Sequence, residues 1–369
     1  MSKYPNLLKP LTLGGVELKN RVFMAPMTRG RGPGQIANEE VAKYYAQRAS
    51  AGLIITEGVH PSKQGVGWLN VPAIFTDEQE EAWKPVVEAV HAKGGRIFMQ
   101  LWHQGRQAHS DFHDLQPVSA SDVEIENSDG LYTSKGKVPY EKPRPLTLDE
   151  IKETIEDYRK AAERAAAAGF DGVEIHAANG YLPDQFLQSK TNKRTDQYGG
   201  SIENRYRFLD EITEAVLTVL PKEKVGVRLS PNGTFGDMGS PEYRELYLYV
   251  ATELGKKKLA YVHVMDGLGF GFHELGEPMT LKEFREVLPK ETVLIGNVGY
   301  TAETAEKAIA NGDADAIAFG RPFIPNPDLV ERFANDWPLA EPAAPPTWFA
   351  LDPEKPLSAN YTDYPAYQQ

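Results

Sequence analysis

The sequence predicts a (β/α)8 TIM barrel formed by one domain over residues 1–369. Short runs rich in β-branched and other apolar residues recur about eight times, and stretches of helical period separate most of them. The runs are apolar throughout, which is typical of parallel strands buried on both faces. The length also suits one large barrel with insertions. The predicted strands are Val22–Pro26, Leu53–Thr56, Ile97–Leu101, Val173–His176, Val225–Leu229, Tyr261–Val264, Val293–Ile295 and Ala316–Phe319.

Three segments depart from this alternation. Residues 11–18 (LTLGGVEL) are typical of a hairpin with a Gly-Gly turn, and we expect this N-terminal hairpin to cap the barrel floor. Residues from about 104 to 145 form a polar insertion after the third strand. Loops of that length in compact folds are usually functional, so the insertion is predicted to be a lid. Residues from about 338 to 369 are rich in proline and aromatic side chains, and they are predicted to form a tail that wraps over the barrel.

The composition excludes several kinds of site and partner. The chain has no cysteine, which rules out disulfides, thiolate zinc sites, iron–sulfur clusters and thiol nucleophiles. The net charge is -12 and no basic face is visible, so neither nucleic acid nor a membrane is an expected partner. Without a signal core or a membrane-length apolar run, the protein is predicted to be cytoplasmic. The histidines lack metal-ligand spacing, so no metal is expected, and monomer and homodimer both stay open.

The clearest candidate for catalysis follows the fourth predicted strand, where the sequence reads HAANGY over residues 176–181. Catalytic groups of such barrels lie at the carboxyl ends of the strands. The Asn-Gly pair favours a turn that lets His176 and Asn179 direct donors towards one oxygen on which negative charge develops. Tyr181 supplies a phenol that stays protonated at neutral pH and can act as an acid. Each residue alone could be structural, but the three together favour a site.

Other strand ends indicate an anionic ligand. Arg228 ends the fifth predicted strand, where a desolvated guanidinium requires an anion. A carboxylate within the barrel and a bound electron-rich heterocycle meet this requirement about equally well. Loops after the seventh and eighth strands contain Gly299, Gly320 and Arg321, in the place where these barrels commonly bind phosphate.

Several other chemistries have less support. Glu57, Glu174 and Asp266 are scattered along the chain, so a pair of acids for glycoside hydrolysis is not indicated. Lys190 is the one candidate for a Schiff base near a strand end, which disfavours a phosphate-binding barrel lyase. A dinucleotide-binding fingerprint is absent as well. Any nicotinamide would therefore enter the barrel mouth as a transient substrate.

These residues in this order resemble the old yellow enzyme family of FMN-dependent ene-reductases, also described as NADH:flavin oxidoreductases. The resemblance runs from Leu7 to about Pro365, and Thr28 separates the chain from a subgroup that carries cysteine at this position. The segments that carry the resemblance are 20–29 (NRVFMAPMTR), 100–106 (QLWHQGR), 176–181 (HAANGY) and 194–205 (RTDQYGGSIENR), of which the last is the most specific.

The resemblance implies FMN bound at the barrel mouth and NADPH or NADH as the transient hydride donor. An arginine beside the flavin and loop amides at its phosphate agree with the strand ends described above. The implied cofactor-binding residues are Pro26, Met27 and Gly58 through their backbone, Thr28 at the flavin O4 edge, Gln100 at the pyrimidine edge, Arg228 at N1 and O2, and Gly299, Gly320 and Arg321 at the phosphate.

The resemblance also implies roles on the substrate side. His176 and Asn179 would bind the carbonyl or nitro oxygen, and Tyr181 would deliver a proton. Trp102, Trp68 and Phe349 would line the pocket; the last two stand where many relatives carry tyrosine, which bears on substrate preference. The function predicted is ping-pong reduction of α,β-unsaturated carbonyls, maleimides and nitroalkenes by NAD(P)H. The alternatives are a nitrate-ester or nitroaromatic reductase and a flavin-free barrel lyase.

Overall fold

The computed structural model describes residues 2–126, 128–349 and 352–368, and within them eight parallel strands close into a barrel. The predicted fold class is therefore confirmed. Each predicted run coincides with a barrel strand, and the largest difference is the second, which continues to Val59. The strands are β1 (Leu11–Leu13), β2 (Val16–Leu18), β3 (Val22–Met24), β4 (Leu53–Val59), β5 (Ile97–Leu101), β6 (Val118–Ser119), β7 (Leu131–Thr133), β8 (Gly136–Val138), β9 (Arg144–Pro145), β10 (Gly172–Ala177), β11 (Val225–Leu229), β12 (Tyr261–Met265), β13 (Val293–Asn297) and β14 (Ala316–Phe319). The barrel runs in chain order through β3, β4, β5 and β10 to β14, and β14 pairs with β3.

Helices cover the outside of the barrel, and each amphipathic helix buries its apolar face against the strands. Thr147 begins the longest of them, and its side chain accepts from the Glu150 backbone while Glu150 reaches back to the Thr147 N–H. This reciprocal capping satisfies two N–H groups that the helix leaves free. The α-helices are α1 (Glu39–Gln47), α2 (Asp77–Ala92), α3 (Leu148–Ala167), α4 (Leu182–Leu187), α5 (Ile202–Leu217), α6 (Tyr243–Lys256), α7 (Leu281–Val287), α8 (Ala302–Ala310) and α9 (Leu329–Asn335).

The lower half of the barrel interior is apolar and is closed by the β1–β2 hairpin. Leu13 and Leu18 pack with the inward side chains of the barrel strands, among them Phe23. The hairpin turns at Gly14 and Gly15, whose φ angles are 54° and 81°. A Cβ on Gly14 would lie 2.3 Å from the Glu223 carbonyl oxygen, just before β11 begins, so this close approach requires glycine. The hairpin therefore caps the barrel floor as predicted.

The insertion after β5 carries two small sheets, in which β6 pairs with β9 and β7 with β8. Arg106, which is 1% exposed, connects it to the barrel loops. Its guanidinium donates to the carbonyls of Val123 and Glu124 at 3.0 Å, and to that of Gly236, after β11, at 2.8 Å. The insertion thus lies against the carboxyl end of the barrel, and its action as a lid stays a prediction.

The C-terminal tail is bound to the loop that follows β3. Arg29 donates to the carbonyls of Trp348 at 2.8 Å and Asn360 at 2.6 Å, and Arg31 donates to that of Trp348 at 2.5 Å. Both arginines are at most 2% exposed. These contacts place Trp348 and Asn360 at the mouth of the barrel. Among the described residues, none of the helices combines the length and apolarity that a membrane crossing needs.

Candidate active site

Polar side chains occupy the upper half of the barrel interior, at the carboxyl ends of the strands. Strand register places Glu174 beside Gln100, and His176 beside Arg228, which in turn lies beside His263. Gln100 Nε2 donates to one Glu174 oxygen at 2.8 Å, and His263 Nδ1 lies 2.9 Å from the other. All five side chains are at most 5% exposed. Such a buried layer is stable only where its polar groups find partners.

Arg228 provides the positive charge of this layer. Its guanidinium donates to Asn297 Oδ1 at 2.6 Å, and Asn297 donates onward to the Ala318 carbonyl at 2.8 Å. Its Nε is buried without a partner among the described residues. Burial lowers the pKa of Arg228, and the Glu174 carboxylate opposes that effect. No carboxylate in the described part of the chain forms a salt bridge with Arg228, so one N–H remains available to a ligand.

The Glu174 carboxylate partly balances this charge. Burial alone would raise the pKa of Glu174, but His263, Arg228 and Gln100 together lower it below its ordinary value. Burial lowers the pKa of His263, which favours the neutral ring. The interior therefore contains one carboxylate and one guanidinium and has no large net charge under the mouth.

Trp102 and Tyr181 pack against His176 at the mouth of the barrel. The ring centroids of His176 and Tyr181 are 4.9 Å apart, and those of Trp102 and Tyr181 are 5.0 Å apart. His176 Nδ1 is buried and has no hydrogen-bond partner in the described structure. No backbone group therefore satisfies this atom, as it would in a purely structural histidine. Burial, and then the charges of Arg228 and His263, hold the pKa of His176 well below its ordinary value. The imidazole is therefore neutral at pH 7.

Tyr181 follows the predicted turn, and its ring lies beside those of His176 and Trp102. Asn179 and Gly180 have φ angles of 56° and 70°, which confirms the turn between His176 and Tyr181. Tyr181 is 8% exposed, and its hydroxyl makes no hydrogen bond with the other described residues. Burial raises the pKa of Tyr181 above its ordinary value, so the phenol keeps its proton over the whole neutral range.

Aromatic side chains form the wall beside this cluster. Trp68 packs against the cluster of Trp102 and Tyr181, and its ring lies 5.0 Å from that of Phe349. Phe235 lies 6.4 Å from Tyr181 on another side and is 41% exposed. The structure thus brings together the predicted pocket residues from three distant parts of the chain.

The residues predicted to contact a flavin by backbone lie at the ends of β3 and β4. Pro26 is buried, and Met27 and Thr28 are half-buried. A Cβ on Gly320 would lie 3.5 Å from Met27 Sδ, so this segment adjoins the loop after β14. A Cβ on Gly58 would lie 2.3 Å from the Trp102 ring. Gly58 is therefore required for the packing of Trp102, a reason that sequence reasoning did not supply.

The predicted phosphate loops lie next to each other because β13 and β14 pair. Gly299 has a φ of 81°, and no described atom lies within 4 Å of where its Cβ would be, so the backbone faces open space. Arg321 is exposed and follows Gly320 in a short 3-10 turn. Its guanidinium lies 5.0 Å from the Trp348 ring and 5.9 Å from the Phe270 ring.

These features fit a flavin mononucleotide. Buried polar atoms normally have hydrogen-bond partners, and Arg228 Nε and His176 Nδ1 are two atoms at one mouth that find none among the described residues, so both can contact a ligand there. Arg228 suits the electron-rich end of a heterocycle, and the open loop at Gly299 suits a phosphate. Together with a protonated phenol at the same mouth, they define a barrel oxidoreductase that works with a flavin.

Comparisons with known proteins agree. The model of the NADH:flavin oxidoreductase / NADH oxidase family matches residues 6–340. The chain is 40% identical over 370 residues to 12-oxophytodienoate reductase 1 of Oryza sativa subsp. japonica, covering 98% of this chain and 93% of that protein. The structure of the old yellow enzyme homologue from Zymomonas mobilis is 44% identical, with a TM-score of 0.92, and covers 98% of this chain and 100% of that one. Morphinone reductase in complex with tetrahydroNAD is 44% identical, with a TM-score of 0.90, and covers 99% of this chain and 98% of that one.

The chain belongs to the NADH:flavin oxidoreductase family, the old yellow enzymes. It is an NAD(P)H-dependent flavin oxidoreductase of the alkene-reductase type, and its cofactor is FMN. The predictions of family, enzyme class and cofactor are confirmed. The lyase alternative is removed, and Lys190, its candidate nucleophile, pairs with Asp237 at 2.8 Å.

Sequence reasoning missed part of the polar layer. It treated Glu174 as scattered and did not consider His263 and Asn297. The signal was present in the alternation of strand residues, since Glu174 lies two positions before His176 and must face the same side. Within the described residues, no cluster of three or more histidine and acidic side chains is spaced to bind a metal ion.

Proposed function

We propose that the protein reduces the activated C=C bonds of α,β-unsaturated carbonyls, maleimides and nitroalkenes. The observation that carries the proposal is the pair formed by His176 and Tyr181. The neutral imidazole of His176, with its unpaired Nδ1, lies 4.9 Å, centroid to centroid, from the phenol of Tyr181, whose hydroxyl makes no hydrogen bond with another described residue. The names of the relatives, 12-oxophytodienoate reductase and morphinone reductase, support a reductase that acts on small organic molecules.

His176 and Asn179 bind and polarise the substrate in this proposal. Two donors at one carbonyl or nitro oxygen stabilise the negative charge that develops there when the β-carbon is reduced. Because its pKa is depressed, His176 binds this oxygen as a neutral donor and does not protonate it. The oxygen therefore stays anionic until the α-carbon accepts a proton.

Tyr181 supplies that proton. Its hydroxyl has no competing hydrogen-bond partner among the described residues, so the proton is available to a substrate at the mouth. The raised pKa keeps the phenol protonated between turnovers. The same raised pKa makes the phenolate costly, so Tyr181 must regain a proton from solvent before the next turnover.

Bound FMN supplies the hydride-transfer chemistry, which it links to NADPH or NADH. Arg228, buried and with a free Nε, would stabilise negative charge at the pyrimidine end of the ring. One mouth serves both the nicotinamide and the alkene, which implies that they bind in turn, in a ping-pong sequence. The remaining residues that would hold the cofactor are Pro26, Met27, Thr28, Gly58 and Gln100 at the ring, and Gly299, Gly320 and Arg321 at the phosphate.

The test is a substrate panel under anaerobic conditions with NADPH and with NADH. The panel contains a cyclic enone, an enal, a maleimide, a nitroalkene, a nitrate ester and a nitroaromatic compound. We expect saturated products from the first four. Turnover of the nitrate ester or nitroaromatic compound with no alkene accepted would favour the alternative function. Absence of NAD(P)H oxidation with all six compounds would refute the proposal.

A further inference from the structure

The turn formed by Asn179 and Gly180 is held by side chains from outside it. Both residues have left-handed backbone conformations, so their polar groups do not join a helix or strand. Each of these four groups nevertheless has a side-chain partner. Asn179 N–H donates to Ser230 Oγ at 2.7 Å, Gln107 Nε2 donates to the Asn179 carbonyl at 2.7 Å, Gly180 N–H donates to Asp184 Oδ2 at 2.9 Å, and Gln185 Nε2 donates to the Gly180 carbonyl at 2.7 Å.

Gln185 makes the most extensive of these contacts. It is fully buried, and its Nε2 also donates to the Gln104 carbonyl at 3.1 Å. Its Oε1 accepts from Ser119 Oγ in β6 at 2.8 Å and from the Arg106 N–H at 3.1 Å. The amide uses all of its hydrogen-bonding capacity, and only one orientation satisfies these partners.

The chain near Gln185 is adapted to this contact. A Cβ on Gly105 would lie 2.2 Å from Gln185 Oε1, and Gly105 has a φ of 59°. Any other residue at position 105 would displace the amide or the backbone. The amide therefore joins the turn to the segment after β5 in a single arrangement.

We propose that Gln185 is a positioning residue for the reaction, acting with Gln107, Asp184 and Ser230 to hold Asn179 and Tyr181 in their reactive places. A left-handed backbone conformation costs free energy for any residue other than glycine. Without its hydrogen-bond partners, Asn179 would therefore move away from this conformation. Tyr181 comes directly after the turn and would move with it. This inference rests on the proposed function, because it assigns a purpose to the position of the oxygen-binding amide and the proton donor.

The experiment replaces Gln185 with methionine, which keeps the volume and removes the donors. The matched control is Asn192→Leu, since Asn192 is 5% exposed and donates to the carbonyls of Phe186 and Tyr198 at 2.7 Å without touching the turn. In Gln185→Met we expect flavin reoxidation by an enone to slow about 10- to 100-fold, because a displacement of about 1 Å costs that much. Proton transfer then limits the rate, so the solvent deuterium isotope effect rises. The control should lose thermal stability without either change.

Gln107→Met is a second variant that tests the same proposal. If Gln185→Met does not fold, Gln107→Met removes another partner of the turn and carries the same expectation. Equal slowing of Gln185→Met and Asn192→Leu, with an unchanged isotope effect, would overturn the proposal.

If the proposed function is wrong, the flavin of Tyr181→Phe is reoxidised by an enone at the parent rate. This result is distinct from those that test the role of Gln185. The affinity of the oxidised enzyme for a saturated ketone still reports the position of Asn179, and we expect it to weaken in Gln185→Met. Parent affinity in that variant would overturn the inference on its own.

Discussion

Replacing Tyr181 with phenylalanine removes a single hydroxyl from the barrel mouth. The ring remains packed against His176 and Trp102, whose centroids lie 4.9 and 5.0 Å away. The hydroxyl has no hydrogen-bond partner in the described structure, so its loss leaves no buried group unsatisfied. We therefore expect the free energy of unfolding to change by less than about 1 kcal/mol. Any large effect on rate must then come from the lost proton, and a general acid contributes about 10²–10⁴-fold.

Stopped-flow measurement of the two half-reactions separates these contributions. Reduction of the flavin by NAD(P)H should stay near the parent rate, and reoxidation by an enone should slow by about 10²–10⁴-fold. A nitroalkene is the internal control, because its nitronate is stable without the proton and is released to solvent. With it the variant should still reoxidise its flavin. Reoxidation by enones at the parent rate would refute Tyr181 as the acid.

Other predictions concern the charge, the pocket and the buried histidines. Arg228→Met should weaken FMN binding by about 2–5 kcal/mol and disfavour the reduced anion, because the negative charge at the pyrimidine end of the flavin then lacks its buried cation; dialysis and the reduction potential measure this, and an unchanged potential would contradict it. Replacing Trp68 or Phe349 with alanine should redistribute kcat/KM among substrates without slowing nicotinamide oxidation, whereas uniform loss would mean a structural role. Burial lowers the pKa of His60 to about 4 and that of His103 to about 3. In the unfolded chain both histidines have a pKa of about 6.5, so below that pH they gain a proton there while they stay neutral in the folded protein. Their contribution to the free energy of unfolding is therefore complete above pH 6.5, and it is smaller by about 2 kcal/mol for each histidine at pH 5. A thermal midpoint that is constant from pH 6.5 to 5 would contradict this.

The elements that sequence reasoning predicted well depend on local patterns. The barrel strands follow from runs of buried apolar residues, and the turn at Asn179 follows from an Asn-Gly pair. The candidate residues His176 and Tyr181 lie within one short segment, so the spacing alone brings them together. In each case the decisive interactions join residues close in the sequence.

What could not be predicted depends on contacts between distant loops. Gln185 and Gln107 contact the turn through an amide that the sequence does not distinguish from any surface glutamine. The bond from Gln107 to Asn179 spans 72 residues, and that from Ser119 to Gln185 spans 66. Gly58 was assigned to the flavin, while its packing against Trp102 depends on a register shift between β4 and β5. Such details are decided by tertiary packing and not by local pattern.

The tail bound by Arg29 completes the mouth of the barrel with residues that are synthesised long after Arg29 itself. Arg29 lies near the start of the protein, and its partners Trp348 and Asn360 follow 319 and 331 residues later. During synthesis this part of the mouth is therefore completed only after Trp348 and Asn360 have left the ribosome, later than all eight barrel strands. Until then a nascent barrel lacks Phe349 and the aromatic wall that it forms with Trp68. Loss of the segment that Arg29 binds would thus alter which molecules enter, while the turn at Asn179 stays intact.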